Sequence, residues 1–222
     1  MTVTHDDGVW TFMPAAGVER SRAGLLFFPG ALVDPRAYAP LVRAAAEAGH
    51  LAVMVELPQR GAFGGADSPE LFARVDRALN IPLGPERWVL AGHSRGAVVA
   101  SELAPREAPR MGGLVLIGTS HPRDVDLSAL RVPVTKIVGT RDGLASPERV
   151  EANRHLLPPS TRWVSIEGGN HSQFGWYGFQ PGDHRATLPA ATQREQMTAA
   201  VLDALRLASD GEANGPIIQE RP

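Results

Sequence analysis

Short, continuous apolar runs punctuate the chain, and a glycine, a proline or a polar turn closes each one. Leu25-Leu26-Phe27-Phe28 stops at Pro29-Gly30, and Leu51 to Leu57 stops at Pro58. Trp88 to Ala91 runs into Gly92, Gly113 to Ile117 into Gly118, and Val132 to Val138 into Gly139. Thr161 to Ile166 is followed by Glu167-Gly168-Gly169. Unalternating runs of this length predict strands buried on both faces. Between them the apolar spacing turns helical. Tyr38 to Ala48 predicts a helix stopped by Gly49, and Ala97 to Leu103 begins another. Ser68-Pro69-Glu70 and Ser146-Pro147-Glu148 each place a capping serine, a first-turn proline and an acid in helix-starting order. Those helices are predicted to run to about Leu79 and Leu157, and the last helix lies within Leu188 to Leu207. Val9 to Met13 predicts one short edge strand before Pro14, and residues 59–68 an irregular loop around Phe63. Strands alternating with helices imply an α/β fold: a mostly parallel twisted sheet with helices on both faces.

Length and composition narrow this only a little. The 222 residues suit a single domain, taken as residues 1–208, with 209–222 as a polar flexible tail. Apolar residues make up 43% and charged ones 21%, a globular balance, and the net charge of −2 points to no nucleic-acid or polybasic membrane surface. The absence of cysteine removes disulfides, thiolate metal sites and a cysteine nucleophile. Met1 to Gly8 is polar, has no apolar signal-peptide core and is expected to be disordered, His5 included. No apolar stretch is long enough to span a bilayer. The expected location is therefore cytoplasmic, with oligomeric state left open.

The sharpest feature is Gly92-His93-Ser94-Arg95-Gly96, which joins a predicted strand directly to a predicted helix. In that context G-x-S-x-G is a nucleophile elbow, a turn so tight that the flanking positions must lack side chains. The serine takes a strained conformation at a helix N-terminus, where developing negative charge is favoured. Read as a plain turn, the same residues would carry an incidental serine.

A serine hydroxyl needs a base, and the base needs an orienting carboxylate. Asp142 and His171 follow later strands, so with Ser94 they give the order Ser, Asp, His on loops at the carboxyl ends of strands. Asp142 could equally be a turn aspartate bonding its own backbone, and His171 a surface-loop histidine. His121 and His184 are the rival bases. His93 lies inside the elbow with its side chain expected to point away from Ser94. His50 begins a strand and His155 lies on a helix. The histidine spacing shows no metal-binding pattern. An oxyanion hole requires two backbone N–H groups. Arg95, after the serine, supplies one; Ala31, after Pro29-Gly30, is first choice for the other and Leu32 second. Phe174 to Asp183 is rich in aromatics: either an apolar wall for an acyl group, or core packing. Leu32, His121, Phe174 and Trp176 are candidate substrate contacts.

These segments together resemble the α/β-hydrolase superfamily, and most closely its small hydrolases related to dienelactone hydrolase. The matching pieces are Phe28-Pro29-Gly30-Ala31, the elbow, Gly139 to Ala145, Gly168 to His171 with Phe174-Gly175, and Gln180 to Asp183. The resemblance implies Ser94 as nucleophile, Asp142 as acid and His171 as base. Two differences stand out. The familiar His-Gly of the oxyanion loop is Pro29-Gly30, and the nucleophile is serine where dienelactone hydrolase has cysteine. Few residues separate the Ile117 and Val132 strands, so no large cap domain is expected. The reading is a serine hydrolase acting on small-molecule carboxylic esters or thioesters, without cofactor or metal. The alternatives are an amidase or peptidase with the same triad, or a non-catalytic ligand-binding protein.

Overall fold

The structure is a computed structural model describing residues 1–62 and 67–211. Most of the tail assigned to 209–222, and part of the loop around Phe63, lie outside the described residues. Eight strands form one sheet: β1 (Thr2–Asp6), β2 (Val9–Met13), β3 (Ala23–Phe28), β4 (Ala52–Val55), β5 (Arg87–His93), β6 (Met111–Ile117), β7 (Val134–Gly139) and β8 (Arg162–Ile166). Their spatial order is β1-β2-β4-β3-β5-β6-β7-β8. β3 to β8 are mutually parallel, while β2 runs antiparallel to both β1 and β4.

The two-residue side-chain period explains why the central strands are apolar throughout. Leu25 and Phe27 of β3, Val89 and Ala91 of β5, and Val115 and Ile117 of β6 point to one face. There they pack under α1 (Ala39–Glu47) and α5 (Ala190–Asp210). Leu26 and Phe28, Leu90, and Leu114 and Leu116 point to the other. They meet α2 (Pro69–Leu79) and α3 (Arg95–Glu107). The predicted capping holds: the Ser68 hydroxyl accepts from Leu71 N–H at 3.2 Å, with Pro69 in the first turn of α2. None of the helices among the described residues is long and apolar enough to cross a membrane.

Three expectations need correction. Val9–Met13 is not the edge strand, because Thr2–Asp6 pairs outside it from Thr2 opposite Met13 to Asp6 opposite Val9. All of β1 is exposed, so it carries no apolar period to betray it. His5 is thereby ordered: its ring stacks on Trp10 at 4.0 Å. The helix after Ser146 is also shorter than expected. α4 (Pro147–Ala152) ends at Asn153, whose amide nitrogen donates to the Arg149 and Ser120 carbonyls, and a 3-10 turn follows over Arg154–Leu156. Helices do not alternate throughout, either. Residues 118–133 join β6 to β7 without helix or strand, and no cap domain stands between them.

The turn from β5 into α3 is built on missing side chains. A Cβ on Gly96 would overlap the Phe28 carbonyl at the end of β3, and one on Gly92 would overlap the Gly96 backbone. Glycine at both positions is therefore a packing requirement. Replacing Gly96 with alanine is expected to lower the unfolding free energy by about 3 kcal/mol or more, the upper range for a forced methyl. Urea unfolding followed by tryptophan fluorescence measures this. An unchanged midpoint would show that the turn can open at little cost.

Candidate active site

Ser94 is the single residue between β5 and α3. Its backbone sits at φ 53°, ψ −118°, a conformation costing a non-glycine residue about 1–3 kcal/mol. The surroundings enforce it. Ser94 N–H donates to Ile117 O at 2.9 Å, while Ser94 O accepts from Ala97 and Val98 N–H to start the helix. The side chain is partly exposed, and its hydroxyl makes no hydrogen bond among the described residues.

Two further loops meet at the same end of the sheet. After β7, Thr140 N–H donates to Ile166 O and Arg141 N–H to Gly169 O. Thr140 Oγ1 accepts from Gly168 N–H at 2.8 Å. A Cβ on Gly139 would stand only 2.5 Å from Gly169 O, so the loops after β7 and β8 are zipped together. This brings Asp142 to His171. Asp142 Oδ1 accepts from Leu144 N–H (2.9 Å) and Ala145 N–H (2.7 Å). Its Oδ2 lies 2.9 Å from His171 Nδ1. Both side chains are almost wholly buried, at 1% and 2% exposure. A carboxylate only accepts, so the imidazole proton sits on Nδ1 and Nε2 keeps its lone pair. Nε2 is buried and has no partner among the described residues.

The remaining sequence candidates divide. Ala31 and Arg95 N–H groups donate to no acceptor among the described residues. Leu32 N–H is taken by Arg60 O at 2.8 Å, which favours Ala31 over Leu32. The Leu32 side chain is 72% exposed. Trp176 is at the surface, with the Arg194 guanidinium 4.6 Å from its ring centre, and its backbone N–H donates to Ala37 O. Phe174 is fully buried against the His93 ring, so it packs the core and does not line a wall for substrate. His121 is buried, and its Nε2 accepts from Arg123 Nε at 3.0 Å. Burial first, then the Arg123 charge, pushes its pKa down to about 4. His184 is exposed, and its N–H donates to the Asp183 carboxylate. His50 is buried and bonds Ala23 O. His93 turns beneath the site, its ring centre 4.5 Å from that of His171. Its place in β5, on the same face as Val89 and Ala91, is the strand period that could have predicted this. Lys136 had no sequence signal. It is buried in β7 with Nζ donating to His121 O, and burial pulls its pKa down to about 7.

Asp183, at the end of the aromatic-rich segment, is a clamp. Its Oδ1 accepts from the N–H groups of Gly143 (3.0 Å), His171 (3.2 Å) and His184 (2.8 Å). Its Oδ2 accepts from Ser172 N–H (2.8 Å) and Ser172 Oγ (2.6 Å). One carboxylate thus ties the residue after Asp142 to the backbone of His171. Burial pushes its pKa up, but these hydrogen bonds, led by the Ser172 hydroxyl, outweigh it and leave the group below the usual aspartate value. A depressed folded pKa stabilises above the unfolded value near 3.9, and that contribution is lost as pH falls through the folded value. Asp183→Asn is expected to cost about 2–3 kcal/mol at pH 7 and to flatten the fall in stability below about pH 4. Urea titrations at a series of pH values measure both. Equal slopes for the two proteins would contradict the clamp.

The model of the Alpha/beta hydrolase family matches residues 24–195. No curated protein matches the chain. Among solved structures it is similar to a serine hydrolase without lid from Xanthomonas campestris, at TM-score 0.64 and 18% identity over 95% of this chain and 96% of that one. It is also similar to a dienelactone hydrolase-like promiscuous phosphotriesterase from metagenomic libraries, at TM-score 0.65 and 17% identity over 91% and 96% of the two chains. Est1E from Butyrivibrio proteoclasticus gives TM-score 0.60 and 14% identity over 90% and 98%. At such identities these likenesses speak for the fold. The family match covers most of the sequence, and the chain belongs to the Alpha/beta hydrolase family.

Proposed function

We propose that the protein is a serine hydrolase that cleaves carboxylic esters or thioesters through an acyl-enzyme on Ser94. One observation carries the reading: a strained serine at a helix N-terminus stands at the same end of the sheet as a buried Asp142–His171 pair whose Nε2 has no partner among the described residues. Ser94 Oγ attacks the carbonyl carbon as its proton passes to His171 Nε2. The oxyanion so formed is held by the N–H groups of Ala31 and Arg95, aided by the positive end of α3. Asp142 keeps the imidazole in the right tautomer and stabilises its charged form. The carbonyl–leaving-group bond then breaks, and His171 returns the proton to the departing alkoxide or thiolate. Water, deprotonated by His171, attacks the acyl-enzyme and releases the carboxylic acid. The absence of a bond between Ser94 Oγ and His171 Nε2 fits a resting site, since such contacts tighten around substrate. The esterases among the structural relatives favour this substrate class.

A fluorophosphonate probe should label the wild-type protein at Ser94 and leave Ser94→Ala unlabelled. On p-nitrophenyl esters, His171→Ala and Asp142→Asn should each lower kcat/KM by roughly 10³-fold or more. Thioesters and anilides of the same acids then separate the esterase from an amidase. A folded wild type that takes no label would sink the reading, and near-normal activity in His171→Ala would unseat that residue as the base.

A further inference from the structure

The two amides assigned to the oxyanion stand at the ends of different strands, and one side chain spans the gap between them. Tyr38 ends the 3-10 turn Pro35–Tyr38 and is fully buried. Its hydroxyl oxygen accepts from Gly30 N–H at 3.3 Å and lies 2.7 Å from His93 Nδ1. Gly30 immediately precedes Ala31. His93 immediately precedes Ser94 and lies two residues before Arg95. The phenol therefore bridges the loop after β3 to the elbow, one or two residues from each amide.

The bridge holds with either polarity. A phenol oxygen accepts up to two hydrogen bonds and donates one, so beside the Gly30 N–H it can give its proton to His93 Nδ1 or take one from it. His93 is neutral in both cases: burial first, then the nearby His171, holds its pKa well below the ordinary histidine value. Burial likewise keeps the Tyr38 phenol protonated, with its pKa well above the usual value. Space is as tight as the bonding. A Cβ on Gly30 would lie 2.8 Å from the Tyr38 oxygen and 3.2 Å from His93 Nδ1. The Tyr38 ring is held in turn by Phe27, His93 and Tyr177, with ring centres 5.2, 5.7 and 6.2 Å away.

We propose that Tyr38 is a positioning residue that sets the spacing between the Ala31 and Arg95 amides through its hydroxyl bridge from Gly30 to His93. The inference rests on the serine-hydrolase reading above and adds what keeps the oxyanion hole assembled before substrate arrives. A rigid pair of donors needs no rearrangement as charge develops, and a displacement of one donor weakens stabilisation of the transition state more than binding of the ground state.

Tyr38→Phe keeps the ring and removes only the bridge. It is expected to lower kcat on p-nitrophenyl esters roughly 10- to 100-fold with KM within about twofold. Affinity for a trifluoromethyl ketone, whose adduct on Ser94 carries an oxyanion, should fall by the same factor. Gly30→Ala, whose methyl would stand 2.8 Å from the phenol oxygen and push it back with its ring, should reproduce the pattern and serves as the test if Tyr38→Phe fails to fold. Circular dichroism at the assay temperature establishes folding. Unchanged kcat and ketone affinity in a folded variant overturn the proposal. So does a loss confined to KM, or one that merely tracks unfolding. A wild type that fluorophosphonate does not label at Ser94 instead overturns the functional reading, and this proposal falls with it.

Discussion

The first turn of α3 passes so close to the end of β3 that the Phe28 carbonyl occupies the space a side chain at residue 96 would need. Much of the site follows from that approach. Because Gly96 lies on Phe28, the chain continuing as Pro29, Gly30 and Ala31 emerges beside the elbow that carries the Arg95 amide. The strained Ser94 lies in the same turn. Its cost of about 1–3 kcal/mol is comparable to what one buried leucine or phenylalanine contributes, about 1.5–3 kcal/mol. β5 is flanked by β3 and β6, and Leu90, Leu114, Leu26 and Phe28 are all fully buried around it. A few core side chains therefore offset the strain, and the turn cannot relax without disturbing the centre of the sheet.

Electrostatics beneath the site follow from burial. His93 is pushed well away from the charged form. Tyr38 and Tyr177 are pushed away from ionisation, the latter by burial and then by the charges of Asp183 and Asp142. Asp183 disperses its charge over the amides of three loop residues, a fourth amide and a hydroxyl. These groups thus act as fixed dipoles. In the proposed reaction the only change of charge on this network falls on His171, with Asp142 already facing its Nδ1. That separation of duties keeps a proton transferred from Ser94 on one imidazole, where the leaving group can collect it.

What could be read from the sequence was whatever rests on a local period or a local clash. The unalternating strands, the Ser68 cap and the glycines at 92 and 96 are of this kind, and the structure has each of them. So does the meeting of Asp142 with His171, which required only that both follow strands of one parallel sheet. What could not be read depends on partners distant in the chain. β1 is a strand because β2 offers it an edge, not because its own residues favour one. Asp183 is a clamp because the loops after β7 and β8 close around it, and nothing near it in sequence distinguishes it from a turn aspartate. Tyr38 looked like the start of a helix. Its phenol meets Gly30, in the loop after β3, and His93, at the end of β5, only because the fold brings both within its reach. Phe174 was half of an open choice between wall and core, and period alone could not decide which way a loop aromatic would turn.

The connection from β6 to β7 contains no helix over residues 118–133, so no cap is inserted there. The loops of this chain brace one another instead. Trp176 N–H is bonded to Ala37 O, joining the aromatic segment after His171 to the turn that carries Tyr38. Asn153 reaches Ser120 O, tying the β6–β7 connection to the end of α4. A lid on a hinge can open while the catalytic groups stay still, but loops bonded in this way share their displacement with the residues that hold the site. A shift of the backbone at Trp176 is therefore passed to the turn that carries Tyr38, and in the proposed site from Tyr38 to the spacing of the two amides.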